Sequence, residues 1–180
     1  MKLTPTAVEG AFLVEFEIHE DSRGHFTRTY CRREFENAGL ASTLAQTSLS
    51  FNRERGILRG LHYQAAPHEE VKLVRCVTGA IYDVVLDLRA GSATYLHHAG
   101  VVLTARSGKA LYVPAGCAHG FQVLEDGSEV LYHISEYFAP DHARGVRWND
   151  PVFGIQWPIP DPIMIQRDAT YPDYRPSGDR

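Results

Sequence analysis

Between residues 57 and 137 the chain reads as one short β-run after another, at 57–63, 71–77, 80–88, 98–104, 110–113, 119–124 and 129–137. Turn-forming residues separate the runs: Gly79, Ala90-Gly91-Ser92, Ser107-Gly108 and Glu125-Asp126-Gly127. Strands that follow one another without intervening helices are stable as a sandwich or a barrel, so the pattern predicts an all-β fold. The flanks differ. Residues 11–18 read as a further strand, and Arg32–Ala38 as a short helix stopped by Gly39. The last thirty residues hold six of the ten prolines, which predicts an extended, loop-rich tail packed over the barrel with one short helix.

Length and composition narrow the function classes. A chain of 180 residues fits one domain, 1–180, with a core of good size. At 44% hydrophobic and 22% charged residues, disorder and coiled coil are excluded as overall descriptions. A net charge of −4 gives no general attraction to nucleic acid or anionic membranes, although a local basic patch can still bind phosphate. Cys31, Cys76 and Cys117 are odd in number and form no CxxC pair, which argues against a disulfide framework and a thiolate zinc site. Reduced thiols and an N-terminus without a secretory pattern or apolar span predict a soluble cytoplasmic protein.

Two segments carry the chemistry. In Ile57-Leu58-Arg59-Gly60-Leu61-His62-Tyr63-Gln64, strand alternation puts Leu58, Gly60, His62 and Gln64 on one face. Pro114-Ala115-Gly116-Cys117-Ala118-His119 is a PxGxxH turn leading into a strand. Together these resemble the two halves of the cupin signature, which implies a jelly-roll β-barrel with short flanking helices. Cupins commonly hold a metal with an HxH pair, a glutamate and a further histidine. Here the second member of the pair is Gln64, and Val123 stands where an asparagine is expected after His119. His62 and His119, even with Glu69 or Glu70, fall short of the three or more ligands a catalytic first-row metal usually takes. No metal is therefore expected.

Further segments make the resemblance more specific. Asp21-Ser22-Arg23-Gly24-His25-Phe26, LRGLHYQ at 58–64, KLVRCVTGAIYDVVLDLR at 72–89, PAGCAHGF at 114–121, the strand around Tyr132 and WNDP at 148–151 resemble the dTDP-4-dehydrorhamnose 3,5-epimerase family over roughly residues 5–170. The resemblance implies a cofactor-independent, metal-free and commonly homodimeric enzyme acting on a nucleotide sugar. It implies that His62 is the base, Asp168 the carboxylate orienting it, and Tyr132 the acid on the opposite face. It places Lys72 and His119 around the sugar, Arg23, Arg59 and Arg167 on the diphosphate, and Phe138 stacked on the nucleobase. Phe26, Arg28, Gln46 and Ser48 fall at further substrate-binding positions.

The chemistry calls for those residue types. A C4 ketone acidifies the hydrogens on C3 and C5, because the carbanion is delocalised onto oxygen as an enolate. A histidine titrates near working pH and serves as base, a carboxylate fixes its tautomer, and a cation stabilises the enolate oxygen. Without the motifs, each residue also has a plain structural use. His62 reads as a hydrogen-bonded core residue, Tyr132 as a strand former, Asp168 as a solvated carboxylate, and Arg23 and Arg59 as surface ion-pair residues. Lys72 shares a face with Val74 and Cys76 and needs a partner, for which Asp83, aligned with Ile81 and Val85, is a candidate. Arg59 lies three residues from His62, so the two reach one site only if the strand bulges near Gly60.

At the base-binding positions the chain departs from the family. Arg28 replaces a usual glutamate, Gln46-Thr47-Ser48 replaces QDN, and Ala143 and Ile165 replace polar residues. An acceptor changed to a guanidinium reverses hydrogen-bond direction. A CDP- or GDP-linked keto sugar, a metal-dependent cupin dioxygenase or isomerase, and a non-catalytic sugar-nucleotide-binding barrel therefore stay open at this point, as does inversion at C3, C5 or both.

Overall fold

The computed structural model describes residues 1–175; residues 176–180 of the expected domain lie outside them. Among the described residues, thirteen strands form two main sheets and a hairpin. The first sheet has six strands in the order β1 (Lys2–Pro5), β2 (Phe12–Glu15), β10 (Lys109–Val113), β7 (Lys72–Thr78), β12 (Ser128–Ile134) and β5 (Gln46–Asn52). The second has five, in the order β13 (Ala143–Gly145), β6 (Leu58–Gln64), β11 (Cys117–Val123), β8 (Ala80–Asp87) and β9 (His98–Thr104). The hairpin pairs β3 (Ile18–Asp21) with β4 (Gly24–Thr27). All strand pairings in the two main sheets are antiparallel. This is the expected all-β, cupin-like jelly roll.

The sheets enclose an interior of Val74, Cys76, Ile81, Val85, Leu111, Phe121, Val123 and Val130, all buried. Two outer layers cover them. Leu61, Val84, Leu86 and Ala118 point out from the five-stranded sheet and pack under Val146, Phe153 and Ile155 of the C-terminal tail. Val14, Leu73, Ala110 and Tyr112 point out from the other sheet and pack under Phe35 of helix α1 (Arg32–Asn37). Strand β8 thus has both faces covered, which is why Ile81–Leu86 is almost continuously apolar. Burying one large aliphatic or aromatic side chain contributes roughly 1.5–3 kcal/mol, so these three clusters supply most of the drive for closure.

The strands predicted between 57 and 137 fall within a few residues of those observed. Residues 11–18 form parts of two strands instead of one: β2 ends at Glu15 beside β10, and β3 starts at Ile18, where the chain turns to pair with β4. Residues 135–137, expected to end a strand, form a loop. The tail is extended, with α2 (Gln166–Ala169) as its short helix.

Buried polar groups tie the tail to the barrel. The side-chain amide of Gln122, fully buried, donates to the Ile159 carbonyl (2.8 Å) and accepts from the Ile159 N–H (2.9 Å). Ile163 makes a parallel bridge beside Ile57, with its N–H donating to Gly56 (3.0 Å) and its carbonyl accepting from Leu58 (2.9 Å). The buried Asp150 accepts from the Val152 N–H (3.0 Å) and the Tyr174 N–H (2.6 Å). These ties bring α2 against β6.

Candidate active site

A cavity of about 1220 Å³ opens between the two sheets, lined by residues of β5, β6, β7, β11, β12, β13 and α2. His62 enters it from the five-stranded sheet and Tyr132 from the six-stranded one, so the two face the same space from opposite walls. The His62 Nε2 lies 2.9 Å from Asp168 Oδ1. Asp168 is almost fully buried, and its other oxygen accepts from the Gly60 N–H (3.4 Å). A carboxylate here accepts a hydrogen bond from Nε2–H and so leaves the Nδ1 lone pair free as a base. Burial is the largest influence on the imidazole and pushes its pKa below the ordinary value; the hydrogen bond and charge of Asp168 act the other way.

Tyr132 is held neutral. Burial pushes its phenol well above the ordinary value, the Asp83 carboxylate pushes the same way, and Ser50 and Arg59 oppose the rise. A tyrosine kept protonated has a proton to give. His119 packs edge-on against the Tyr132 ring with centroids 6.0 Å apart. Its Nε2 is 2.7 Å from Asp83 Oδ1, in a second histidine–carboxylate pair. Burial pushes the Asp83 carboxyl up, and its Oδ2 has no partner among the described residues.

Asp83 does not pair with Lys72. The Lys72 Nζ instead lies 2.8 Å from Glu70 Oε1 and donates to the His62 carbonyl at 3.4 Å. Asp83 is committed to His119 on the neighbouring strand, whereas Glu70 stands two residues before Lys72 on the same wall.

The bulge expected near Gly60 is present. His119 pairs with His62 and Phe121 with Arg59, so β6 carries one residue more than β11 across this stretch. Gly60 has φ +129°, and a Cβ there would sit 2.6 Å from the Gly120 Cα. The extra residue turns Arg59 into the same cavity as His62. Its Nε donates to Asn52 Oδ1 (2.7 Å) and its Nη2 to the Phe51 carbonyl (3.4 Å). Arg167 donates through Nε to Asp168 Oδ1 (3.1 Å), with its Nη2 3.5 Å from His62 Nε2.

Gln46, Ser48 and Phe138 also line the cavity, and the Phe138 N–H donates to Gln46 Oε1 (2.8 Å). Arg23, Phe26 and Arg28 do not reach it within this chain. Arg23 is at the turn of the β3–β4 hairpin, 87% exposed and paired with Asp21 (2.6 Å). Phe26 is 65% exposed, and Arg28 lies 3.8 Å from Glu34 of α1. The hairpin is a separate two-stranded sheet, and none of its residues lines the cavity.

Several lining residues carried no clear signal in the sequence. Ser50 faces the cavity because β5 turns its polar side inward. Tyr63 and Arg144 come from β6 and β13, Tyr171 from the tail, and Glu70 from the segment just before β7. Gln64 serves as a strut: it donates to the carbonyls of His68 (2.9 Å) and Tyr137 (3.2 Å) and accepts from the Ala139 N–H (2.7 Å), holding the loop that carries Phe138. Among the described residues, no three His, Cys, Asp or Glu side chains are grouped to hold a metal ion. Four cations, Arg59, Lys72, Arg144 and Arg167, border the cavity against two carboxylates, Glu70 and Asp168, which suits an anionic ligand.

Comparison with known proteins gives a consistent result. The family model of dTDP-4-dehydrorhamnose 3,5-epimerase matches residues 5–175. The chain is 41% identical over 170 residues to the dTDP-4-dehydrorhamnose 3,5-epimerase of Pseudomonas aeruginosa, covering 93% of each chain. It resembles the crystal structure of the Bacillus anthracis enzyme with TDP and pyrophosphate bound, with TM-score 0.93, 38% identity and coverage of 96% of this chain and 99% of that one. The Legionella pneumophila enzyme, solved in complex with dTDP-4-keto-L-rhamnose, superposes with TM-score 0.88 at 30% identity, covering 93% of this chain and 89% of that one.

Proposed function

The chain belongs to the dTDP-4-dehydrorhamnose 3,5-epimerase family, and we propose that it performs this isomerase chemistry with His62 as the base. The reaction epimerises a dTDP-linked 4-keto-6-deoxy hexose at C3 and C5. The observation that carries the residue assignment is the 2.9 Å contact between His62 Nε2 and the buried Asp168 in the wall of the cavity.

In this reading the Nδ1 of His62 removes the proton beside the ketone. The electron pair moves onto the C4 oxygen, and Asp168 stabilises the imidazolium that forms. Lys72 donates to the enolate oxygen. Tyr132, on the opposite wall, returns a proton to the other face of the carbon and inverts it. Arg59 and Arg167 hold the diphosphate, His119 contacts the sugar, and Phe138 stacks on the base, with Gln46 and Ser48 beside it. Each step is a proton transfer or an electrostatic contact that these side chains supply without a redox cofactor.

Arg23, Phe26 and Arg28 fit the same reading if the enzyme is a homodimer in which the β3–β4 hairpin of one protomer reaches the cavity of the other. The outer face and edge of β5 favour such an assembly, since Leu49 is 57% and Phe51 56% exposed there. The three cysteines are free, which supports a cytoplasmic location. Among the described residues no helix is long and apolar enough to cross a membrane.

The test is solvent deuterium exchange into dTDP-4-dehydro-6-deoxyglucose, with CDP- and GDP-linked analogues alongside. Wild type is expected to exchange at C3 and C5 of the dTDP sugar, and His62→Ala at neither. Exchange by His62→Ala at the wild-type rate would remove the base assignment. Preference for a CDP or GDP sugar would assign Arg28 to a changed base pocket.

A further inference from the structure

Glu70 and Lys72 form a charge pair inside the reaction cavity whose carboxylate has no role in the steps above. The Glu70 side chain is 11% and that of Lys72 10% exposed, and Oε1 and Nζ are 2.8 Å apart. The segment between them is pinned on β12's side: the Val71 N–H donates to Ser135 Oγ (2.8 Å), and the Val71 carbonyl accepts from the Ser135 N–H (3.0 Å). Residues two apart on an extended segment share a face, so both side chains line the cavity. Asp168, the other carboxylate there, is taken by His62 and Arg167.

An ammonium has three N–H donors. At Lys72 one points to Glu70 and a second to the His62 carbonyl. One is left for a ligand. A lysine on a flexible stem does not hold such a geometry by itself, and a bound diphosphate between the nearby arginines would draw it away from the sugar.

We propose that Glu70 is a positioning residue of the epimerisation, which anchors the Lys72 ammonium so that its remaining N–H meets the C4 oxygen as that oxygen gains charge. The inference rests on the assignment of Lys72 to the enolate oxygen. Glu70 itself touches no substrate atom. It matters most in the transition state, when a displaced Nζ loses more than it does in the ground state.

A double-mutant cycle tests this, with kcat, KM and dTDP binding measured for Glu70→Ala, Glu70→Gln, Lys72→Ala and the double alanine variant. Glu70→Ala is expected to lower kcat about 10- to 100-fold while KM and dTDP affinity stay within about twofold. Glu70→Gln, which keeps an acceptor of the same shape, is expected to recover most of that loss. The double variant is expected to be no slower than Lys72→Ala alone. If Glu70→Ala turns over like wild type while Lys72→Ala is impaired, this inference fails and the role of Lys72 stands. Multiplying losses in the double variant would also overturn it, since Glu70 would then act independently of Lys72. Full activity of Lys72→Ala would remove the role of Lys72 and this inference with it. If the alanine variant does not fold, Glu70→Asp retracts the same charge by one methylene, with a several-fold fall in kcat expected and an unchanged kcat overturning the proposal.

Discussion

His62 is a base under two opposing influences. Partial burial disfavours the imidazolium, and Asp168 favours it, with burial the larger. The neutral form is the active base, so activity grows as pH rises through the His62 pKa. The acid limb of kcat/KM is therefore expected below the ordinary imidazole value of about 6.5. In Asp168→Asn the imidazolium loses its charged partner, so the limb is expected to move to still lower pH. The plateau is expected to fall by roughly 10²–10⁴. A pH–rate profile of the two proteins checks both, and an unmoved limb would count against the pairing. At Tyr132 the neutral phenol is the useful form, and Tyr132→Phe is expected to impair net epimerisation more than deuterium exchange, measured in the same samples.

At the scale of elements, the site depends on a bulge, an inverted strand and a docked tail. At Gly60, φ +129° and the 2.6 Å approach to Gly120 leave no room for a side chain. Gly60→Ala is expected to cost about 1–3 kcal/mol from backbone strain alone, read by urea unfolding, and to lower activity by moving Arg59 and His62 out of register. Strand β5 was illegible in the sequence because its inward residues, Gln46, Ser48, Ser50 and Asn52, are polar while Leu49 and Phe51 face outward. Hydrophobic alternation marks a strand by its buried apolar face, and a strand that lines a wet cavity reverses the code. The tail was visible only as proline-rich. Gln122→Leu would leave the N–H and carbonyl of Ile159 unpaired, with an expected loss of about 1–3 kcal/mol in the same unfolding assay. Activity is expected to fall with it, because Ile159 precedes the segment that delivers Asp168.

At the scale of the whole molecule, one chain assembles His62, Tyr132, Lys72 and Asp168, while the hairpin carrying Arg23 and Phe26 stands apart from them. If protomers exchange hairpins, His62→Ala is expected to be inactive and an Arg23→Ala/Phe26→Ala variant weakly active when each is expressed alone. Co-expressed, they are expected to regain activity through mixed dimers, in which one site has both its base and an intact hairpin. Light scattering on the wild-type protein is expected to give the mass of a dimer. No recovery in the mixture would mean that the hairpin serves its own chain or has no part in the site.

By itself the sequence determined the class of fold, the order and near-boundaries of the strands from residue 57 onward, and the residue types the reaction needs. Short-range alternation, turn residues and the two histidine-bearing segments are local signals, and they survive folding because covered sheet faces enforce them. Only the tertiary structure decided which groups meet. Asp168 lies 106 residues from His62 and reaches it through hydrogen bonds that dock an irregular tail. Asp83 goes to His119 and Glu70 to Lys72, although alignment on the strands suited Asp83 and Lys72 equally well. Strand parity assigns a face, but the partner is chosen by which strand lies alongside and by the bulge at Gly60. Those depend on sheet order and backbone approach, properties of the assembled barrel that no stretch of the chain contains.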